Sequence, residues 1–295
     1  MAEERERATM KDILVHLDDS ERCAVRLGLA VGLARRFEAR LTGLFARIDS
    51  FAPGTVAHQA SDFLVAARET VRTGFETAVT AAGIKGRWWH LSHGEPGHVL
   101  GETTFCARFA DLVVMGQAEP KSPLVPDDMV EHVILNSGRP VLVVPYSGTF
   151  ATLGERVAIA WNASREAARA LADSLPLLAG AASVTVLSLR GGHDAESRAL
   201  PDVPAVDILD HLAAQGIRAE SEHLTGEQIG KMDMLLSRLC DLGADLVVMG
   251  AQGPGLLSMM RGSGTHYVLS HMTVPVLMAQ KQHTFSRWIK RRKMG

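Results

Sequence analysis

Cysteine is scarce in this chain. Its three residues, Cys23, Cys106 and Cys240, are odd in number and widely separated along 295 positions. They exclude a disulfide framework and a cysteine metal cluster, and they predict reduced, buried thiols. An excess of one charge is also lacking. The net charge of −2 gives no global basic field, so nucleic acid is not an expected partner. No apolar run approaches the ~18 residues of a membrane span. The opening "MAEERERATM" is charged and has no apolar core, which predicts no secretory signal and a cytoplasmic protein. The patterns of hydrolytic chemistry are missing too: no Ser-His-Asp order, HExxH pair or nucleophile elbow occurs. Asp18 beside Asp19 and Asp127 beside Asp128 are chain neighbours, which does not make either pair an acid and base. No catalytic residue is assigned, and the chain is not expected to be an enzyme. His90, His93 and His98 in "HLSHGEPGH" fit no common zinc spacing, so a histidine-rich surface loop is expected and no metal site.

What is present is the composition of a globular protein with a real core, 46% hydrophobic and 22% charged. The sequence is also written twice. "ADLVVMGQAEP" at Ala110 returns as "ADLVVMGAQGP" at Ala244. "RPVLVVPY" at Arg139 returns as "VPVLMAQK" at Val274, and "ILVHLDDSERCAVRLGL" at Ile13 as "VAIAWNASREAARALAD" at Val157. Three matches in one order mean two homologous units. The expected layout is an extension over 1–9, unit one over 10–148, a linker over 149–153, unit two over 154–282 and a basic tail over 283–295. The tail "SRWIKRRKMG" has two readings, contact with an acidic surface or a solvated terminus, and the second is simpler.

Each unit alternates short apolar runs with amphipathic stretches. In unit two the runs lie near 156–161, 183–189, 218–223, 245–249 and 275–279. Such runs suit strands buried on both faces. In "SREAARALADSLPLL", Ala167, Leu171 and Leu175 recur at helical spacing behind Ser164, a good N-cap. The alternation predicts an α/β fold with two tandem doubly wound parallel five-stranded sheets and helices on both faces. In the order 3-2-1-4-5 the switch point falls between strands one and four, where such sheets bind ligands.

"MGAQGPGLLSMMRGSGT" at 249–265 follows strand four of unit two and carries Gly250, Gly253, Gly255, Gly262 and Gly264. A flexible loop is one reading. An anion cradle is the other: glycine lets backbone N–H groups approach an oxyanion, and a helix start offers unpaired donors. Placement after strand four, and hydroxyls from Ser263 and Thr265 at the helix start, favour the cradle. No lysine follows Gly262, so this is not a Walker A loop, and a dinucleotide fingerprint would follow the first strand.

"ILVHLDDS", "VAIAWNAS", the two "ADLVVMG" runs, "GSGTHYVLSH", "PVLVVP" and "PVLMA" together resemble the universal stress proteins in their tandem two-domain form, over about residues 10–282. The resemblance implies a stress-response sensor or regulator that binds ATP, with or without Mg2+, in unit two. A nucleotide-free dimerising scaffold and a slow ATPase are the alternatives. The family's nucleotide-binding loop, Gly-x2-Gly-x9-Gly-Ser/Thr, maps onto Gly250, Gly253, Gly262 and Ser263, with one residue fewer before Gly262. Family positions at the adenosine end map onto Ala160, Trp161 and Asn162, and onto Leu189 at the end of strand two. With Met249, Gly264 and Thr265 these make the candidate site. Unit one keeps Asp18 where unit two has Asn162, so part of an adenosine pocket is expected to survive there. It sets Glu119, Asp127 and Asp128 against Gly253, Gly262 and Ser263, and Pro120, Pro123 and Pro126 remove donors from its loop. One nucleotide per chain follows. The resemblance also implies that the fifth strands pair within the chain, leaving room for a homodimer and for a protein partner of unknown kind.

Overall fold

The computed structural model describes residues 10–50, 59–119, 124–189, 207–224, 230–252 and 264–280. Unit one runs β1 (Asp12–Leu17), α1 (Cys23–Phe37), β2 (Arg40–Phe45), α2 (Asp62–Ala82), β3 (Gly86–His90), α3 (Pro96–Ala107), β4 (Leu112–Gly116), α4 (Met129–Asn136) and β5 (Val141–Val144). Unit two repeats the pattern as β6 (Arg156–Trp161), α5 (Arg165–Leu178), β7 (Ser183–Leu189), α6 (Ile208–Ala214), β8 (Glu220–Leu224), α7 (Lys231–Asp241), β9 (Leu246–Gly250), α8 (Gly264–His271) and β10 (Val276–Ala279). The expected parallel order occurs in both halves. They are not separate sheets, however. β5 and β10 pair antiparallel, with Leu142 opposite Leu277, and join them into one ten-stranded sheet, β3-β2-β1-β4-β5-β10-β9-β6-β7-β8. The reason is in the edges: "VLVV" and "VLMA" are apolar throughout and fully buried, and an open edge of that kind would template association.

The strand runs are apolar because both faces are covered. Ile13, Val15 and Leu17 of β1 face one core with α1, α2 and α5, while Leu14 faces the other with α3, α4, α7 and α8. Both cores continue across the joint between the units. The link from β5 to β6 is more than a spacer: Phe150 and Leu153 pack against the first core.

The repeated "ADLVV" motif owes its acid to this architecture. In unit one Asp111 Oδ2 accepts from the Lys11 and Asp12 N–H groups, at 2.8 and 3.0 Å. In unit two Asp245 accepts from the N–H groups of Gly154, Glu155 and Arg156, and from Thr152 Oγ1. One carboxylate before strand four thus gathers the donors that precede strand one.

Two expectations need correcting. The histidine segment is not all surface: His93 is buried, and its ring stacks on His98 with centroids 3.9 Å apart, because the segment folds under Asp49. The free cysteines are not all buried either, since Cys240 lies on the outer side of α7 and is exposed. Among the described residues no three metal-ligating side chains gather, and no helix is long and apolar enough to cross a membrane.

Candidate functional site

In unit two, β6 and β9 are parallel neighbours, and their carboxyl ends form the switch point. The chain turns there sharply from strand to helix. Asn162 Oδ1 accepts the Ser164 N–H at 3.1 Å, Ala163 adopts φ 55°, and Ser164 Oγ caps α5 by accepting the Ala167 N–H at 3.1 Å. Gly250 lies against this turn. A Cβ on it would stand 2.4 Å from the Ala167 nitrogen, so the close approach of α5 alone demands glycine there. Ala160 and Trp161 are half-buried, Asn162 is exposed and Met249 is buried. Leu189 ends β7 one position past the Trp161–Ser188 pair, which puts its backbone at the same end of the sheet. Gly264 and Thr265 open α8. Thr265 is buried, and its Oγ1 accepts the Gln252 N–H at 3.0 Å, drawing the two ends of the glycine loop together. Gly253, Gly262 and Ser263 lie outside the described residues, as do the extension over 1–9 and the basic tail.

Glu166, in the first turn of α5, is buried beside Gly250. Burial by itself would raise its pKa. Bonds from Arg165, from its own N–H and from Ser164 outweigh that and hold it below the usual carboxylate range.

The same crevice in unit one is shut. Asp18 repeats the turn chemistry by accepting the Ser20 N–H at 3.1 Å, but it is buried and faces Arg26 Nη2 at 3.0 Å. Arg26 is itself buried and donates from Nε to the His16 carbonyl at 2.7 Å. Its guanidinium occupies the space beside Gly116, where a Cβ would stand 2.1 Å from Nη1. His16 completes the plug, with Nε2 donating to the Ala46 carbonyl at 2.7 Å. What remains among His16, Asp18, Arg26, Met115 and Met129 is a cavity of about 20 Å³, room for one water and not for a nucleoside. Asp18 is therefore spent on Arg26, and the partial adenosine pocket expected in unit one does not exist. Burial pushes Asp18 up, yet Arg26, His16 and the Ser20 bonds together bring it down to about 2. Burial, then the Arg26 charge, takes His16 down to about 4.

The plug has a signal in the sequence that the strand and loop motifs do not carry. Register through the first strands sets His16 against Ala160 and Arg26 against Ala170. An arginine on the inner stripe of a helix, where the copy has alanine, needs a buried partner, and Asp18 is that partner. Asp127 and Asp128 are exposed at the start of α4. Pro120 and Pro123 lie outside the described residues.

The universal stress protein family model matches residues 155–280. By this match the second unit is a universal stress protein domain. Solved structures extend the likeness of fold to the whole tandem. A universal stress protein from Archaeoglobus fulgidus DSM 4304 is 19% identical, with a TM-score of 0.71, covering 91% of this chain and 98% of its own. A protein of the same type from Pseudomonas aeruginosa UCBPP-PA14 is 16% identical, with a TM-score of 0.58, covering 92% and 93%. A universal stress protein from Archaeoglobus fulgidus in complex with dAMP is 18% identical, with a TM-score of 0.34, covering 45% and 96%. No curated protein matches the chain. Among the described residues, the side chains that plug the crevice of unit one have no counterpart in unit two, where Ala160 and Ala170 stand in place of His16 and Arg26.

Proposed function

We propose that the chain binds one adenine nucleotide, ATP, in unit two, and acts as a non-catalytic sensor or regulator in a stress response. The observation that carries this is the contrast between the crevices. Where unit one is plugged by His16, Asp18 and Arg26, unit two has Ala160, an exposed Asn162 and Ala170. The described half of the unit-two site fits an adenosine. Trp161 offers a half-buried ring and Asn162 an amide that both donates and accepts, at the carboxyl ends of β6 and β7. The glycine loop and the start of α8 would receive the phosphates on backbone N–H groups. Those groups supply binding and orientation and no water-activating base, which supports a sensor over an ATPase.

The test is a titration with a fluorescent ATP analogue, alongside mass spectrometry of the protein as purified. Saturation near one analogue per chain is expected. Gly262→Asp should abolish micromolar binding, because two unit charges ~4 Å apart at an effective dielectric of ~20 repel by about 4 kcal/mol. Two equivalent sites per chain, or parent-like binding by Gly262→Asp, would overturn the assignment.

A further inference from the structure

Helix α8 is held at both ends, and the two grips come from different units. At its start, Thr265 is tied to the glycine loop through Gln252. Near its end the Leu269 carbonyl is among the last four of the helix, which have no partner within it. That carbonyl accepts from Gln117 Nε2 at 2.8 Å. Gln117 belongs to unit one and follows β4 directly. It is buried, and both ends of its side-chain amide are engaged. Its backbone N–H donates to the Val144 carbonyl at 2.8 Å, and its Oε1 accepts the Tyr146 N–H at 3.0 Å, so the amide is fixed to the end of β5 while its donor reaches into unit two.

The pseudo-twofold copy makes no such reach. Ala251 holds the equivalent position, and its N–H donates to the Ala279 carbonyl at 3.0 Å just as Gln117 donates to Val144. Its methyl side chain has no donor with which to grip α4. Between α4 and α8, half-buried Glu131 pairs with exposed His266 at 3.6 Å, an ion pair of a kind that contributes little.

We propose that Gln117 is a positioning residue for the nucleotide site of unit two: by capping the last turn of α8, the shut unit sets the pose of the helix whose first turn receives the phosphates. Granted the nucleotide site proposed above, unit one acts on affinity without a ligand of its own. The amide of Gln117 is the contact through which it does so, and the coupling has no mirror image.

Gln117→Met keeps the length of the side chain and removes both polar contacts. Gln117→Glu keeps an acceptor for Tyr146 and sets an oxygen against the Leu269 carbonyl. In the full-length chain, each variant should raise the dissociation constant of the ATP analogue about three- to tenfold, the size of one buried hydrogen bond. Stoichiometry should stay at one. Backbone amides of 266–271 should exchange with solvent several-fold faster in the absence of nucleotide, while those of β1 and β2 keep parent rates. Val79→Ala, a truncation in α2 within the core on the opposite face of the sheet from α8, serves as the control: it should lower stability and leave both readouts alone. Parent-like affinity in folded Gln117 variants overturns the proposal, as does an equal loss in Val79→Ala. A parent chain that binds no adenine nucleotide overturns the nucleotide site itself and the affinity effect with it. The exchange rates of α8 then decide separately whether Gln117 holds the helix.

Discussion

At the scale of single residues, the shut crevice makes unit one acid-sensitive in a definable window. His16 is held neutral by burial, with a folded pKa of about 4 against an ordinary value of 6.5. Between those values the unfolded chain binds the proton and the folded chain refuses it. Stability is therefore complete above about pH 6.5 and falls as pH drops toward 4, by on the order of 3 kcal/mol from this group. Asp18 acts in a lower window. Its folded pKa of about 2 lies below the ordinary 3.8, so its contribution is present above 3.8 and is lost as pH falls through 2. His16→Gln retains a donor for the Ala46 carbonyl and removes the titration. Urea midpoints for parent and variant should diverge as pH falls from 6.5 to 4, with the parent dropping faster. A difference that stays constant with pH would show that His16 is not buried as the neutral ring. None of this was legible in "ILVHLDDS" read alone, because Asp18 looks the same whether it meets a ligand or an arginine. The deciding residue, Arg26, sits on the next helix.

At the scale of elements, glycines of one appearance in the sequence have opposite consequences. Gly28 lies inside α1 on an exposed face, and a Cβ there meets nothing within 4 Å. Gly28→Ala should stabilise the protein by about 0.5–1 kcal/mol, through the ordinary helix preference for alanine over glycine. Gly250→Ala should do the reverse, by about 1–3 kcal/mol, because the backbone of α5 is in the way. Thermal midpoints moving up for the first variant and down for the second would bear this out. Midpoints moving together would count against the packing at β9. Strands and helix caps were readable because short apolar runs and Ser164 carry local signals. β6 and β7 fall where the periodicity places them, while the third strand of unit two begins at Glu220, two residues later than its pattern suggests. The purpose of the acid in "ADLVV" was not readable, because its partners lie at the start of another strand some ninety to one hundred residues away.

At the scale of the whole molecule, the two halves share both cores and a strand joint, and the linker adds packing of its own. Arg36 of α1 reinforces this by donating to the Leu153 and Leu177 carbonyls, at 3.3 and 3.0 Å. Segments 1–148 and 149–295 produced together as separate chains should therefore recover a one-to-one complex with the mass of the intact protein, measured by light scattering after size exclusion. Two independent monomers would mean that the covalent link alone holds the halves together. That the fifth strands meet was expected from family likeness. That the meeting makes a single sheet with continuous cores is a property of tertiary packing, which no local pattern encodes.

The β5–β10 joint also governs composition. Two free polypeptides, one shut and one open, would shuffle into matched and mismatched pairs in proportions that follow their abundances. Fusion removes that dependence: every molecule holds one of each kind at any expression level. The outer rims of the sheet discourage further additions, since β3 and β8 present Arg87, His90, Glu220, Glu222 and His223 rather than an apolar edge. Each chain thus inherits its shut partner and does not recruit it from a pool.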